Sequence, residues 1–128
     1  MRTFAVAATV AAPADAAWDA LATPSRWSEW GPSVRAVDCA DETVRAGTTG
    51  RVRTTPGPSL RFVVTAVEPG RSWHWRVAGV AATGHRVDPV DATNTRITFE
   101  VPCWAAPYAV VCRRALRRLA AVLEPPNE

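Results

Sequence analysis

The stretch AAPYAVVCRRALRRLAAVL, residues 105–123, decides the fold. Tyr108, Val111, Cys112, Ala115, Leu116, Leu119, Val122 and Leu123 recur at the i, i+3, i+4, i+7 spacing of one helical face. Arg113, Arg114, Arg117 and Arg118 fall on the other side. Pro107 sits in the first turn, where a missing N–H costs little, and Pro125 and Pro126 stop the helix. Such a helix is about 30 Å long. An amphipathic helix that follows a long strand-like run needs a sheet to lie on. The expected fold is therefore α+β, a curved antiparallel seven-stranded sheet wrapped around a long C-terminal helix.

Working back from that helix, the chain reads as strands and turns. Arg2 to Val10 alternates Phe4, Val6, Ala8 and Val10 at period two. Pro13 opens a short helix with Asp15 in its first turn and Trp18 and Leu21 facing the core. Thr23-Pro24 is an N-cap followed by proline, so a second short helix carries Trp27 and Trp30 as far as Gly31-Pro32. Further strands are expected at 34–39, 48–54, 60–67, 72–77, 83–90 and 95–101. Turn signals separate them, among them Pro56-Gly57-Pro58, Pro69-Gly70 and a break at Gly79. The short connections make the last six strands an antiparallel meander. Seven strands give a sheet roughly 30 Å wide, which one long helix can cross.

Composition narrows the function classes. The 128 residues, 48% hydrophobic and 21% charged, fit a single domain over 1–128 with one core. All 15 basic side chains are arginine, and the net charge of +3 is spread along the chain. No aromatic residues interleave with the arginines of the last helix, which argues against a nucleic-acid partner. No apolar run is long enough for stable membrane insertion. Met1-Arg2 before Phe4 to Ala12 superficially resembles a short signal peptide, but a single arginine and a direct run into a helix start favour a strand. Cys39, Cys103 and Cys112 form no CxxC pair, as expected for reduced thiols in a cytoplasmic protein. GxSxG, P-loop, dinucleotide and HExxH motifs are missing, so neither cofactor nor metal is expected.

Several segments, in order, resemble the SRPBCC (START-like, helix-grip) superfamily, in particular its polyketide cyclase/dehydratase-like branch. Ala12-Pro13 with Trp18 resembles the family's "AP…VW" start of the first helix. Trp27, Trp30, Pro32 and Val34 resemble "W..W.P.V". Gly47-Thr48 resembles "vGt", and Val64-Thr65 through Glu68-Pro69-Gly70-Arg71 resembles "VTevdPgr". Trp75, Gly84-His85-Arg86 and Thr95-Arg96-Ile97-Thr98 resemble the "W", "gH" and "TrvT" positions that follow. The resemblance implies a helix-grip fold, a cavity between sheet and helix, and a hydrophobic or aromatic small molecule as partner. Members include cyclases, dehydratases and lipid carriers, so a reaction is implied less firmly than a cavity.

Against that background the residues offer a short set of candidates. Trp30, Trp73 and Trp75, with Phe62 and Phe99, are wide rings that stack on a planar ligand or simply fill a core. His85 shares strand parity with Thr83 and Val87, the inward side, and is the acid–base candidate; its bland alternative is a histidine bonded to a backbone carbonyl. Tyr108 would polarise a ligand carbonyl, and Cys112, one turn on, is more often a small hydrophobe. Among the strand arginines Arg51, Arg53 and Arg61, Arg53 is the candidate to hold a carboxylate or phenolate; solvent is the alternative. Glu29 sits either at a cavity mouth or in solvent. Two functions from different classes remain open. One is a cofactor-free cyclase, dehydratase or isomerase in which His85 moves the proton. The other is a non-catalytic carrier or sensor of a lipid or quinone. A partner-binding domain with a filled core is a third. A monomer or homodimer is expected.

Overall fold

The computed structural model describes residues 2–125; Met1 and residues 126–128, including the second expected helix stop at Pro126, lie outside them. Seven strands form one sheet: β1 (Thr3–Val10), β2 (Val34–Cys39), β3 (Thr49–Thr54), β4 (Ser59–Glu68), β5 (Ser72–Val77), β6 (Val80–Pro89) and β7 (Thr95–Pro102). Their order is β1-β7-β6-β5-β4-β3-β2, every pair antiparallel. The meander is as expected, and the N-terminal strand joins its far end, with Val6 opposite Phe99 and Ala8 opposite Ile97. Register shifts at Val34/Ala36, Val64/Ala66 and His74/Arg76 interrupt three of the ladders. An extra residue on one strand bends it and tightens its twist, which accounts for the curvature of the sheet.

Between β1 and β2 lie α1 (Ala14–Ala22), a 3-10 turn (Pro24–Arg26) and α2, a single turn (Trp27–Trp30). Thr23 does not cap the second helix; its hydroxyl donates to Asp19 Oδ1 at 3.3 Å. The carbonyl end of α1 is closed differently. Trp30 Nε1 donates to the Ala20 carbonyl (2.9 Å), Trp27 Nε1 to that of Leu21 (2.8 Å), and the Val44 amide to that of Ala22 (2.9 Å). Three of the four carbonyls that a helix end leaves without partners are thereby satisfied, two of them by indoles. The linker between strands is thus fastened to α1 by the same rings that enter the core.

The final helix, α3 (Ala109–Leu123), starts later than expected. Residues Cys103–Tyr108 form a 3-10 segment, with Ala105 out of helical geometry at φ −105° and ψ 29°. Pro107 accounts for the delay: it lacks the N–H for an i→i−4 bond, and its ring crowds the carbonyl four residues back, at Cys103. The α-helical part is 15 residues, about 22 Å, and falls short of the width of the sheet. Cys112, Ala115, Leu116 and Leu119 of the apolar stripe are buried, while Tyr108 and Val122, each 40% exposed, lie at its ends. The helix packs on β1, β7, α1 and α2. At its C-terminus Glu124 Oε2 accepts from the Ala11 amide at 3.0 Å, tying it to the end of β1. No helix among the described residues is long and apolar enough to cross a membrane.

Strand β6 also departs from expectation, starting at Val80 and not at Thr83. Ala78 (φ 53°) and Gly79 (φ 79°) are both left-handed and form the two-residue turn of a hairpin closed by Val77 and Val80. Gly79 therefore joins two strands directly. Within β6, Ala82 and Thr83 together oppose Trp75, because His74 pairs with Gly84 while Arg76 pairs with Ala81. That bulge matters for the site.

Candidate functional site

Because α3 is short, a hollow of about 330 Å³ remains between the concave sheet face and the helices. The sheet supplies Val52, Leu60, Trp73, Trp75, Ala82, Thr83, His85 and Phe99 to its wall. α2 supplies Trp27 and Trp30; α3 and the segment before it supply Trp104, Tyr108, Val111, Cys112 and Ala115. Among the described residues, no arginine, aspartate or glutamate lines it. The wall is apolar apart from a few hydroxyls and one imidazole. That is the usual make-up of a small-molecule pocket, and the volume lies at the lower end of the usual range.

The rings form one cluster. Trp27 stacks on Trp73 (centroids 5.1 Å, planes 8° apart) and meets Trp75 edge-on at 5.2 Å. Trp73 also stacks on His85 at 3.8 Å, and Phe99 stacks on Trp30 at 5.8 Å. Sequence reasoning placed Trp27 on the second short helix but gave it no role, although it is the centre of the cluster.

His85 is buried at the back of this group. Its Nδ1 lies 3.2 Å from the Trp73 carbonyl and its Nε2 3.0 Å from Thr83 Oγ1. A carbonyl only accepts, so Nδ1 carries the hydrogen, and the bare Nε2 accepts from the Thr83 hydroxyl. That hydroxyl in turn accepts from Trp75 Nε1 at 3.2 Å. The chain of donors has a single direction, Trp75 to Thr83 to His85 to the Trp73 carbonyl. Burial, opposed by the Trp73 carbonyl and aided by His74, pushes the imidazole pKa down to about 3. His85 is therefore neutral near pH 7.

The sign of its linkage follows. The unfolded imidazole takes a proton near pH 6.5 and the folded one only near 3, so the unfolded state binds more protons between those values. The stability His85 contributes is present above pH 6.5 and is lost as the pH falls towards 3. We expect denaturant melts between pH 6.5 and 4.5 to lose up to about 1.4 kcal/mol per pH unit from this residue. His85→Phe should remove that part of the slope; an unchanged slope would show that the imidazole is hydrated when folded.

Tyr108 lies at the mouth, its hydroxyl 2.8 Å from Ser33 Oγ, a link from the loop before β2 to the start of α3. Burial raises its pKa, opposed by the bond to Ser33. Trp104, 64% exposed, stands beside it on the rim. Burial pushes the Cys112 thiol up to about 11 against the pull of Arg113, so at neutral pH it is a protonated hydrophobe in the wall. Two candidates fall outside the hollow. Arg53 points to the other side of β3 from Val52 and pairs with Asp38 (Nε to Oδ2 3.0 Å). Phe62 is buried, but it lies opposite Gly50 and packs against Trp27 and Trp75, behind the cavity wall. Arg51 and Arg61 are likewise exposed, and Glu29 pairs with Arg26 at 3.1 Å. Thr83 and Ser33 are not among the candidate site residues, although the parity that puts His85 inward puts Thr83 there too; the bulge at Ala82-Thr83, which strand parity does not reveal, brings Ala82 to the wall beside it. Among the described residues, no three His, Cys, Asp or Glu side chains gather as a metal ion would require, and all three cysteines are free.

A bent seven-stranded sheet closed over a C-terminal helix, with short helices after the first strand and a hollow beneath them, defines a helix-grip protein of the SRPBCC type. The chain belongs to the polyketide cyclase/dehydrase and lipid transport family, whose model matches residues 1–124. No curated protein sequence matches it. Among solved structures it is similar to the Zhui aromatase/cyclase from Streptomyces sp. R1128, with 18% identity and a TM-score of 0.71 over 94% of this chain and 92% of that one. It is similar also to the di-domain ARO/CYC BexL of the BE-7585A biosynthetic pathway, with 19% identity and a TM-score of 0.74 over 94% of this chain and 46% of that one. The Aha1 dimer from Colwellia psychrerythraea aligns with 20% identity and a TM-score of 0.72 over 97% of each chain. At these identities the likeness is one of fold.

Proposed function

We propose that this chain, working as one domain, binds a hydrophobic aromatic or polyketide-like molecule in the hollow between the sheet and α3. The observation that carries this is the uncharged wall, in which aromatic rings converge with a few hydrogen-bonding groups. Membership of a family that includes polyketide cyclases supports it. As an enzyme it would be cofactor-free, folding a reactive chain by shape and polarising a carbonyl through Tyr108 and Ser33. His85 then acts as a positioning residue that orients Thr83, because both its nitrogens are engaged and its basicity is low. That same low basicity favours a second reading, a carrier that releases its ligand unchanged.

The test is an NMR titration of the methyl groups with 1-naphthol. Val52, Val111 and Ala82 should shift together while Val90, which is exposed and outside the wall, stays still. If none of the three moves at saturating ligand, the proposal falls. Native mass spectrometry of the freshly purified protein then separates the two roles. A ligand recovered unchanged after incubation favours the carrier; a mass changed by loss of water favours the dehydrating enzyme.

A further inference from the structure

We infer that the outer edge of β1, with the groove between it and α3, receives an extended acidic segment of another protein as an added strand of the sheet.

The edge comes first. β1 has a neighbour on one side only, β7. The Cys103 amide donates to the Arg2 carbonyl at 3.0 Å, and in an antiparallel ladder every second residue repeats such a bond. Phe4, Val6, Ala8 and Val10 therefore bond to β7, while the N–H and C=O groups of Thr3, Ala5, Ala7 and Thr9 point away from the sheet. The amide of Ala11, next in that series, already takes a carboxylate, that of Glu124. Four consecutive residues, Ala5 to Ala8, line a groove of about 470 Å³ whose other wall is Arg113, Leu116, Arg117 and Ala120 of α3. Side chains alternate across a strand, so a groove that meets four residues in a row meets the strand along its backbone edge. Exposed edges are ordinarily guarded by charge, proline, a bulge or shortness. β2, at the opposite end of the sheet, has Arg35, Asp38 and a register shift within its 6 residues. β1 runs for 8 residues in unbroken register with neither charge nor proline.

The occupant follows from charge. Arg113 and Arg117 are exposed and take part in no ion pair among the described residues. They lie four residues apart, about 6 Å along the helix. Alternate residues of an extended chain are about 6.8 Å apart, so acidic side chains at i and i+2 of an added strand can meet both arginines. A second copy joined edge to edge about a two-fold axis would instead bring two such arginine pairs together.

The test uses the end-blocked peptide TEVEVT, with TKVKVT and the rearranged TEEVVT as controls, followed by calorimetry and by amide hydrogen exchange. TEVEVT should bind and, at saturation, slow exchange at Ala5 and Ala7 at least about tenfold, while Val6 and Ala8, already bonded to β7, change little. TKVKVT should not bind, and TEEVVT should bind at least about threefold more weakly. Arg113→Glu together with Arg117→Glu should weaken TEVEVT at least about fivefold. Ala7→Pro removes an outward N–H and leaves the β7 ladder intact, so it should abolish the protection at Ala5. Should Ala7→Pro not fold, the surface arginine variant and the wild-type exchange pattern decide. No binding of TEVEVT, binding without protection at Ala5 and Ala7, equal binding of either control, or full affinity in the arginine variant each overturns the inference. So does binding of phosphatidylglycerol vesicles in place of the peptide. Protection that grows with protein concentration when no peptide is present would assign the edge to a second copy and overturn it too.

Discussion

Replacing Trp27 with alanine should destabilise the fold by about 4 kcal/mol, the middle of the range for truncating a buried aromatic. For a chain of this length that lowers the Tm by roughly 15 °C. Three losses combine. The stacked contact with Trp73, the edge contact with Trp75 and the tilted contact with Phe62 vanish, leaving a void at the centre of the aromatic cluster. The Leu21 carbonyl loses its indole partner in a buried place. Trp27→Phe separates these contributions: it keeps most of the packing and loses the hydrogen bond, so it should recover more than half of the loss. Urea unfolding at pH 7 measures both variants. A loss below about 1.5 kcal/mol for the alanine variant would mean that the rings rearrange to fill the space and that Trp27 is not the keystone described above.

The second large effect is on binding. Val111 stands on the first turn of α3, half-buried, with its side chain on the hollow. Val111→Trp places an indole where the ligand would lie, so the affinity for 1-naphthol should fall by more than about tenfold, because the remaining room no longer holds two rings. Stability should change by less than about 1.5 kcal/mol, since the new ring enters existing space and displaces no side chain. Val90→Trp, in the exposed turn after β6, is the control and should leave affinity unaltered. If Val111→Trp binds as tightly as wild type, the ligand sits elsewhere and the hollow is not its site.

The fold was legible because two periodicities survive in this sequence with little interference. Alternation at Phe4, Val6, Ala8 and Val10 and at Ile97, Phe99 and Val101 marks strands, and the stripe through Cys112, Ala115, Leu116 and Leu119 marks the helix that covers them. Boundaries went astray where one residue overrode the pattern. Pro107 delayed the helix, and the left-handed Ala78-Gly79 pair joined two strands at a point read as a gap. The site was less legible. Parity placed Trp73, Trp75 and His85 on one side, and the structure has them there. Parity puts Thr83 beside His85, but it does not show that the bulge at Ala82-Thr83 sets Thr83 opposite Trp75, so the cross-strand bond that feeds the donor chain is not legible in the spacing. Arg53 was misassigned although Val52 beside it already marked the inner side. Phe62 does point inward, but where along the curved sheet a side chain stops being wall and becomes filling depends on ring packing, which spacing does not encode.

The fastening of α1 by Trp27 and Trp30 has a consequence for how such a protein diversifies. The two indoles that close its carbonyl end are also the ceiling of the hollow, so altering the ceiling to admit a different guest loosens the clamp at the same stroke. The floor carries no such double employment: Val52, Leu60 and Ala82 touch the guest space and hold no helix end. Retuning of guest shape, by natural drift or in the laboratory, should therefore accumulate on the floor while the ceiling stays fixed.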